Sequence, residues 1–431
     1  MYLLYNILLY LVALPLLPLH MLILLLRGKP RQGIGERFGF LPKERFAALQ
    51  GKKIIWIHAV SVGETRAVVP LLKALKKRFP DYALILSNVT ETGSRVAASL
   101  AEIDLCFFFP YDFPFSVKQV LRRIKPAMVV VVETEIWPNF LRAAGRQGVP
   151  VALVNGRISD RSFPRYRKLQ FFLEPILQQF SLLGMQSPLD AERVVAMGAP
   201  PERVTVTRNL KFDMQTGGLE EIQPDAIREE FRLARDCRLW VAASTHAGEE
   251  EQVLDVFRRL LDGGFDLLLV LVPRHPERCR AVAELLSARR IPFVRRSEIE
   301  QTVEPLSGGM VLLVDSIGEV LKFYAVADLV FVGGSLVPVG GHNVLEASLL
   351  RKPVLFGPHM HNFKEISRLL IEAGGGISVV DADELHDRAA ELLADPEAGR
   401  ALGLRGYKLL EENRGATDHA LKAMEGLLEQ R

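Results

Sequence analysis

"KKIIWIHAVSVGETRAVVPLLKALKKRF", Lys52–Phe79, decides the fold. Its apolar run "IIWI" is short and lacks period-two alternation, so it reads as a strand buried on both faces. An amphipathic pattern from Thr65 to Phe79 reads as a helix. Between them lies a loop of small residues with one carboxylate, Glu64. Strand followed at once by helix is half of a parallel crossover unit, and the pattern recurs along the chain. "YALILSN", "LCFFFPY", "AMVVVVETE" and "PVALVNG" read as strands. "TGSRVAASLAE", "PFSVKQVLRRIKP" and "WPNFLRAAGRQG" read as the helices between them. Short apolar strands alternating with amphipathic helices give a doubly wound α/β domain, ending near residue 212.

"MQTGGLEEIQPDA", 214–226, reads as a linker, and the alternation then restarts. "LWVAAST", "DLLLVLVPRH", "PFVRRSE", "MVLLVDS", "ADLVFVGGS", "PVLFGPH" and "GISVVDA" supply strands, and one amphipathic helix is expected from about Pro396 to Gln430. The predicted organisation is an N-terminal anchor at 1–30, one Rossmann-like domain at 31–212 and a second at 213–431, with the last helix free to return to the first. In such sheets ligands bind outside the carboxyl ends of the strands. In the second half those ends carry Ser244-Thr245, Pro273-Arg274-His275, Ile317-Gly318-Glu319 and Gly333-Gly334-Ser335, a cluster of polar and glycine-rich turns.

The chain has 431 residues, 49% hydrophobic and 24% charged, which excludes a disordered protein and suits large cores. A net charge of +3 does not by itself point to nucleic acid. Tyr2–Leu26 contains no Asp, Glu, Lys or Arg. As a helix it would be roughly 37 Å long, against about 30 Å of hydrocarbon core. Eight Lys/Arg against two Glu follow between Arg27 and Lys53, which predicts a membrane anchor with its C-terminal flank in the cytoplasm. Pro15 and Pro18 leave a re-entrant or interfacial arrangement open. The absence of a basic leader and of an A-x-A-like site before Arg27 argues against a cleaved signal. Cys106, Cys237 and Cys279 form no CxxC, so neither a disulfide frame nor a zinc site is indicated, and no carboxylate or thiol near His359-x-His361 completes a convincing metal site.

Several motifs offer chemistry. Gly340-Gly341 precede a helix pattern at Asn343, where first-turn N–H groups would suit a phosphate; Asn343 as an ordinary helix cap is the alternative. Glu346, one turn on, would suit ribose hydroxyls. Arg274 at a strand end suits a phosphate or is a solvated turn arginine. Gly318 sits at a turn that could read a base or phosphate, or simply start a helix capped by Ser316. Glu133 and Glu135 end an all-apolar strand, where an acid needs a partner or a task. Lys211 is either a charge stabiliser or a surface lysine. Arg157, Arg161, Arg165, Arg167 and Lys168 lie among aromatics, a composition suited to an anionic lipid surface or acceptor; RNA would fit the composition less well given the N-terminal segment, and a solvated charged face is the alternative. There is no GxGxxG after the first strand and no GxxxxGK[ST], which argues against a dinucleotide-dependent dehydrogenase and a P-loop NTPase.

Taken in order, "SVGE", "ETEIWPN", "NGRIS", "NLKFD", "VPRH", "GGHNVLE" and "FGPHMHNF" resemble the 3-deoxy-D-manno-oct-2-ulosonic acid (Kdo) transferases of lipopolysaccharide synthesis. The resemblance implies a GT-B fold, two Rossmann-like domains facing a central cleft. It implies an inverting glycosyltransferase that moves Kdo from CMP-Kdo to the glucosamine disaccharide of the lipid A precursor. It also implies the cytoplasmic face of the inner membrane, with membrane lipid as a partner, no metal, no cofactor and no nucleic acid. Carried over by motif, Glu64 is the proton acceptor, and Glu133 and Lys211 are transition-state stabilisers. The donor is contacted by Pro273, Arg274, Ile317, Gly318, Glu319, Asn343, Val344, Leu345 and Glu346. Gly63, Arg157 and Arg161 are expected near the acceptor. A related GT-B enzyme using another nucleotide sugar, or a membrane-tethered nucleotide-binding scaffold without transfer activity, would share the same layout.

Overall fold

The computed structural model describes residues 1–26, 32–214 and 223–429, with the backbone alone at 17 and 19–26. The chain forms two compact units, Met1–Asp213 with Asn413–Arg431, and Met214–Glu412.

The first unit holds a parallel sheet of β1 (Lys53–His58), β2 (Tyr82–Asn88), β3 (Leu105–Phe108), β4 (Met128–Val132), β5 (Val151–Gly156), β6 (Leu182–Met185) and β7 (Val204–Val206), in the order β3-β2-β1-β4-β5-β6-β7. β1 shows why alternation is missing from its sequence. Ile54 and Trp56 pack into the core on one face, Ile55 and Ile57 into the core on the other, and all four are buried. β6 and β7 were not legible in the sequence. They are only four and three residues long.

The helix expected over Thr65–Phe79 is two, Val62–Ala67 and Val69–Arg78, broken at Val68. Pro70 lies in the first turn of the second, where its missing N–H costs nothing. The single C-terminal helix is likewise two, Pro396–Asn413 and Ala416–Glu429. Gly415, at φ 97°, takes a left-handed turn between them. Ala416, Ala420, Met424 and Leu428 of the final helix complete the first unit's core, and Asp213 accepts from Gly415 N (2.8 Å) and from Thr417 N.

The second unit repeats the plan with β8 (Arg238–Thr245), β9 (Leu267–Pro273), β10 (Phe293–Arg295), β11 (Val311–Leu313), β12 (Leu329–Val332), β13 (Val354–Phe356) and β14 (Ile377–Ser378), ordered β10-β11-β9-β8-β12-β13-β14 and again parallel. Of the expected linker, residues 215–222 lie outside the described residues. In both sheets strand order reverses beside the first strand, between β1 and β4 and between β8 and β12. These are the topological switch points where ligands of such sheets bind.

The expected membrane anchor is not supported by the N-terminal segment. Tyr2–Leu26 is a helix, but its first residues dock on the first unit. Tyr5 Oη donates to Asp112 (2.9 Å), the Asn6 and Asn139 amides bond each other (2.7 Å), and the Tyr10 ring stacks on Phe113 at 5.3 Å. Among the described residues no helix is long and apolar enough to span a membrane. The basic flank at 27–31 lies outside them. Leu3, Leu4, Ile7, Leu8, Leu11 and Val12 form an exposed apolar face on this helix.

Candidate functional site

In the first unit three motifs meet at the β1/β4 switch point. Glu64 lies in the first turn of Val62–Ala67 and folds back on its own loop. Its Oε2 accepts from Val60 N at 2.7 Å and its Oε1 from Ser61 Oγ at 2.9 Å. Glu64 thus braces the entry to its helix through the residue before the N-cap Ser61 and through the Ser61 hydroxyl, without the reciprocal bonds of a capping box. Its electrostatics go further. Burial, and then the charge of Glu133, push the Glu64 carboxyl up to about 7, against the pull of the two hydrogen bonds. A carboxyl poised there exchanges a proton at neutral pH.

Glu133 follows β4 with φ 62°, a left-handed conformation that is unusual for a glutamate. Its N–H bonds Val154 O at 2.9 Å, and its carboxylate pairs with Lys211 Nζ at 3.2 Å. Lys211 is placed by β5: Asn155, also left-handed at φ 58°, accepts from Leu210 N at 3.0 Å. Thr134 Oγ1 accepts from Arg157 N at 2.8 Å and donates back to Arg157 O at 2.5 Å, tying "ETEIWPN" to "NGRIS". Backbone strain of this kind persists where the surroundings enforce it and concentrates at functional sites. Glu135 is also pushed up, by burial and by Glu133. Gly63 is exposed, with only Ser61 Oγ at 3.9 Å from where a Cβ would stand, and Arg161 is exposed on the loop after β5.

In the second unit the predicted donor residues divide. Pro273 ends β9, and Arg274 N bonds Thr245 O at 2.9 Å, which seats Arg274 beside the end of β8. Ile317 is 80% exposed and Gly318, at φ 92°, has open space beside it, so this turn can be approached by a ligand. The Glu319 carboxylate is already engaged by Arg296 at 3.0 Å and by Ser316 Oγ. Val344 and Leu345 are wholly buried core residues, so only their backbone can serve a ligand. The helix expected to start at Asn343 is the five-residue Leu345–Leu349, too short to supply a useful terminal dipole. Asn343, one residue before the N-cap Val344, accepts from Leu345 N at 3.2 Å, and Glu346 lies in the first turn. The glycine pair is also used differently from expectation. At Gly340 (φ 114°) a Cβ would meet Asn362 Nδ2 at 2.3 Å, and at Gly341 (φ 74°) Met360 Sδ at 2.2 Å. Met360 and Asn362 of the chain's own "HMHN" segment pack against the glycine pair.

Two features escaped sequence reading. Glu249 is fully buried and accepts from Gly334 N (2.7 Å), Leu336 N (2.9 Å), Ser335 N (3.1 Å) and His246 N (3.2 Å), which fixes the loop after β12. His246 and His342 meet Nε2 to Nε2 at 2.9 Å. Neither has a local signature, because the partners lie about 90 residues apart. Among the described residues no group of His, Cys, Asp and Glu is arranged to hold a metal ion.

The family described as "3-Deoxy-D-manno-octulosonic-acid transferase (kdotransferase)" matches residues 32–214. The 3-deoxy-D-manno-octulosonic acid transferase of Haemophilus influenzae is 38% identical over 93% of this chain and 92% of its own. Among solved structures, the UDP-GlcNAc 2-epimerase from Neisseria meningitidis (TM-score 0.59, 16% identity, 88% of this chain and 100% of that chain) and a glycosyltransferase from Rickettsia africae (TM-score 0.58, 13%, 88% and 98%) share the fold of two parallel-sheet α/β domains, as in GT-B glycosyltransferases. With its first unit matched by the family and nearly its whole length aligned to a curated relative, the chain belongs to the Kdo transferase family and is a glycosyltransferase.

Proposed function

We propose that this enzyme transfers Kdo from CMP-Kdo to a glucosamine hydroxyl of the lipid A precursor in one inverting displacement, with Glu64 as general base. The observation that carries this is the state of Glu64, a half-buried carboxyl at a switch point, pushed up to about 7 by burial and by Glu133. Such a group accepts a hydroxyl proton at neutral pH. As the acceptor oxygen attacks the anomeric carbon, its proton passes to Glu64, and the bond to the phosphate oxygen breaks with its electron pair going to CMP. Lys211, paired with Glu133, supplies a positive charge within the first unit to balance charge that develops on the reacting sugar. In the second unit Arg274 and the open turn at Ile317–Gly318 hold the nucleotide.

We place the enzyme at the cytoplasmic face of the inner membrane. The exposed Leu3–Val12 face of the N-terminal helix supports contact with lipid by lying in the interface. Purified protein incubated with CMP-Kdo, UDP-sugars and lipid A precursor tests the reading by mass spectrometry. The expected product is the lipid carrying one or more Kdo residues, with UDP-sugars untouched. Consumption of a UDP-sugar in place of CMP-Kdo would overturn it.

A further inference from the structure

The β8/β12 switch point carries a pair of imidazoles that the transfer reaction described above leaves without a role. His246 follows β8 directly, and His342 lies in the loop between β12 and the helix Leu345–Leu349. Their Nε2 atoms are 2.9 Å apart and their rings lie 3° from parallel. Two imidazole nitrogens at that distance share one hydrogen, since one must donate and the other accept. The pair is held from several sides. His246 N bonds Glu249 at 3.2 Å, and the backbone of Gly334 lies against both rings, where a Cβ would come within 3.0 Å of His342 and 3.3 Å of His246. His275 meets His246 edge-on at 5.9 Å.

The charges facing the pair are one-sided. Arg274, His275 and Arg278 act on His246, and Arg274 and His275 act on His342, while the Glu249 carboxylate is occupied by backbone N–H groups. Burial, and then neighbouring groups that include the Arg274 guanidinium, hold both imidazoles below their ordinary range, His342 at about 3. An anion placed beside Arg274 reverses the balance. It cancels the cations that oppose protonation and rewards a positive charge on the pair.

We propose that His246 and His342 form a single proton-linked receptor for the phosphate of the donor nucleotide, taking up one solvent proton as the phosphate binds. The inference rests on the nucleotide-binding reading of this unit and deepens it. It also suits the reaction: when the sugar–oxygen bond breaks, the phosphate changes from a diester with one negative charge to a monoester with up to two. A shared proton that is already in place stabilises that added charge without a separate acid.

Isothermal titration of the full chain with CMP, in buffers of different ionisation enthalpy between about pH 6 and 8, counts the protons taken up. The native protein is expected to approach one proton per CMP, with affinity rising up to about tenfold per unit fall in pH. Cytidine, which lacks the phosphate, is expected to bind without uptake. His342→Gln and His246→Gln should bind CMP more weakly and lose the uptake. CMP's own phosphate titrates near pH 6, but it contributes equally to native protein and variants and drops out of the difference. CMP binding with no difference in uptake between native protein and a folded variant overturns the receptor and leaves the nucleotide site standing. Failure of native protein to bind CMP at all overturns the nucleotide reading, and the receptor with it.

Discussion

Glu64 and Glu249 occupy matching places, each just after the first strand of its sheet at the switch point, and burial pushes both carboxyls up, but their partners differ. Glu249 is fully buried, and its two oxygens receive four backbone N–H groups. Glu64 receives only two donors, is half-buried, and has a second acid, Glu133, acting on it. A carboxylate saturated with backbone donors is a fastener, because its lone pairs are spoken for. One with spare lone pairs, partial exposure and a like charge nearby is held ready to take a proton. The same contrast runs through the two rims. The first gathers acids around a lysine, and the second gathers imidazoles and arginine around glycine turns.

The contrast can be broken most decisively at Glu64. Glu64→Gln keeps the side chain's shape, and the amide can still accept one of the two bonds. Transfer should fall by roughly 10²–10⁴, the usual worth of a general base, while CMP binding in the second unit is unchanged. Near-normal turnover would reduce Glu64 to a helix-cap acid. Glu249→Ala is the reciprocal test. It strands several buried N–H groups at about 1–3 kcal/mol each, so the second unit should lose at least about 3 kcal/mol in a denaturant melt. A loss below about 1 kcal/mol would mean the loop after β12 is fixed by something else. Smaller still, Arg274→Ala should weaken CMP binding by about 10- to 100-fold, the worth of a hydrogen bond to a charged group, without altering the melt.

Much of this was legible in the sequence, for identifiable reasons. The strands "IIWI" and "VVVV" are buried on both faces, so their lack of alternation was itself the signal of a parallel sheet. Glu64, Glu133 and Lys211 were nameable from ordered motifs, and the structure groups them in one unit. What the sequence hid is long-range or conformational. The left-handed backbone at Glu133 and Asn155 depends on contacts made by neighbouring strands. The His246–His342 pair joins loops of two strands. The glycine pair at Gly340-Gly341 looked like room for a phosphate, and it is room for Met360 and Asn362. The apolar N-terminus looked like a span, but Tyr5, Asn6 and Tyr10, spread through it, dock it on the first unit.

The pH dependence of kcat/KM for Kdo transfer, measured for native enzyme and Glu133→Gln, tests the central claim most directly. Glu64 must be ionised to act, and its proton is held up to about 7 by burial and by Glu133. Activity should therefore rise with pH through an apparent pKa near 7. In Glu133→Gln the like charge is gone, so the limb should move to lower pH by on the order of one unit, even though the maximal rate also falls. A native limb in the ordinary carboxylate range, or one that stays in place when the Glu133 charge is removed, would contradict the account.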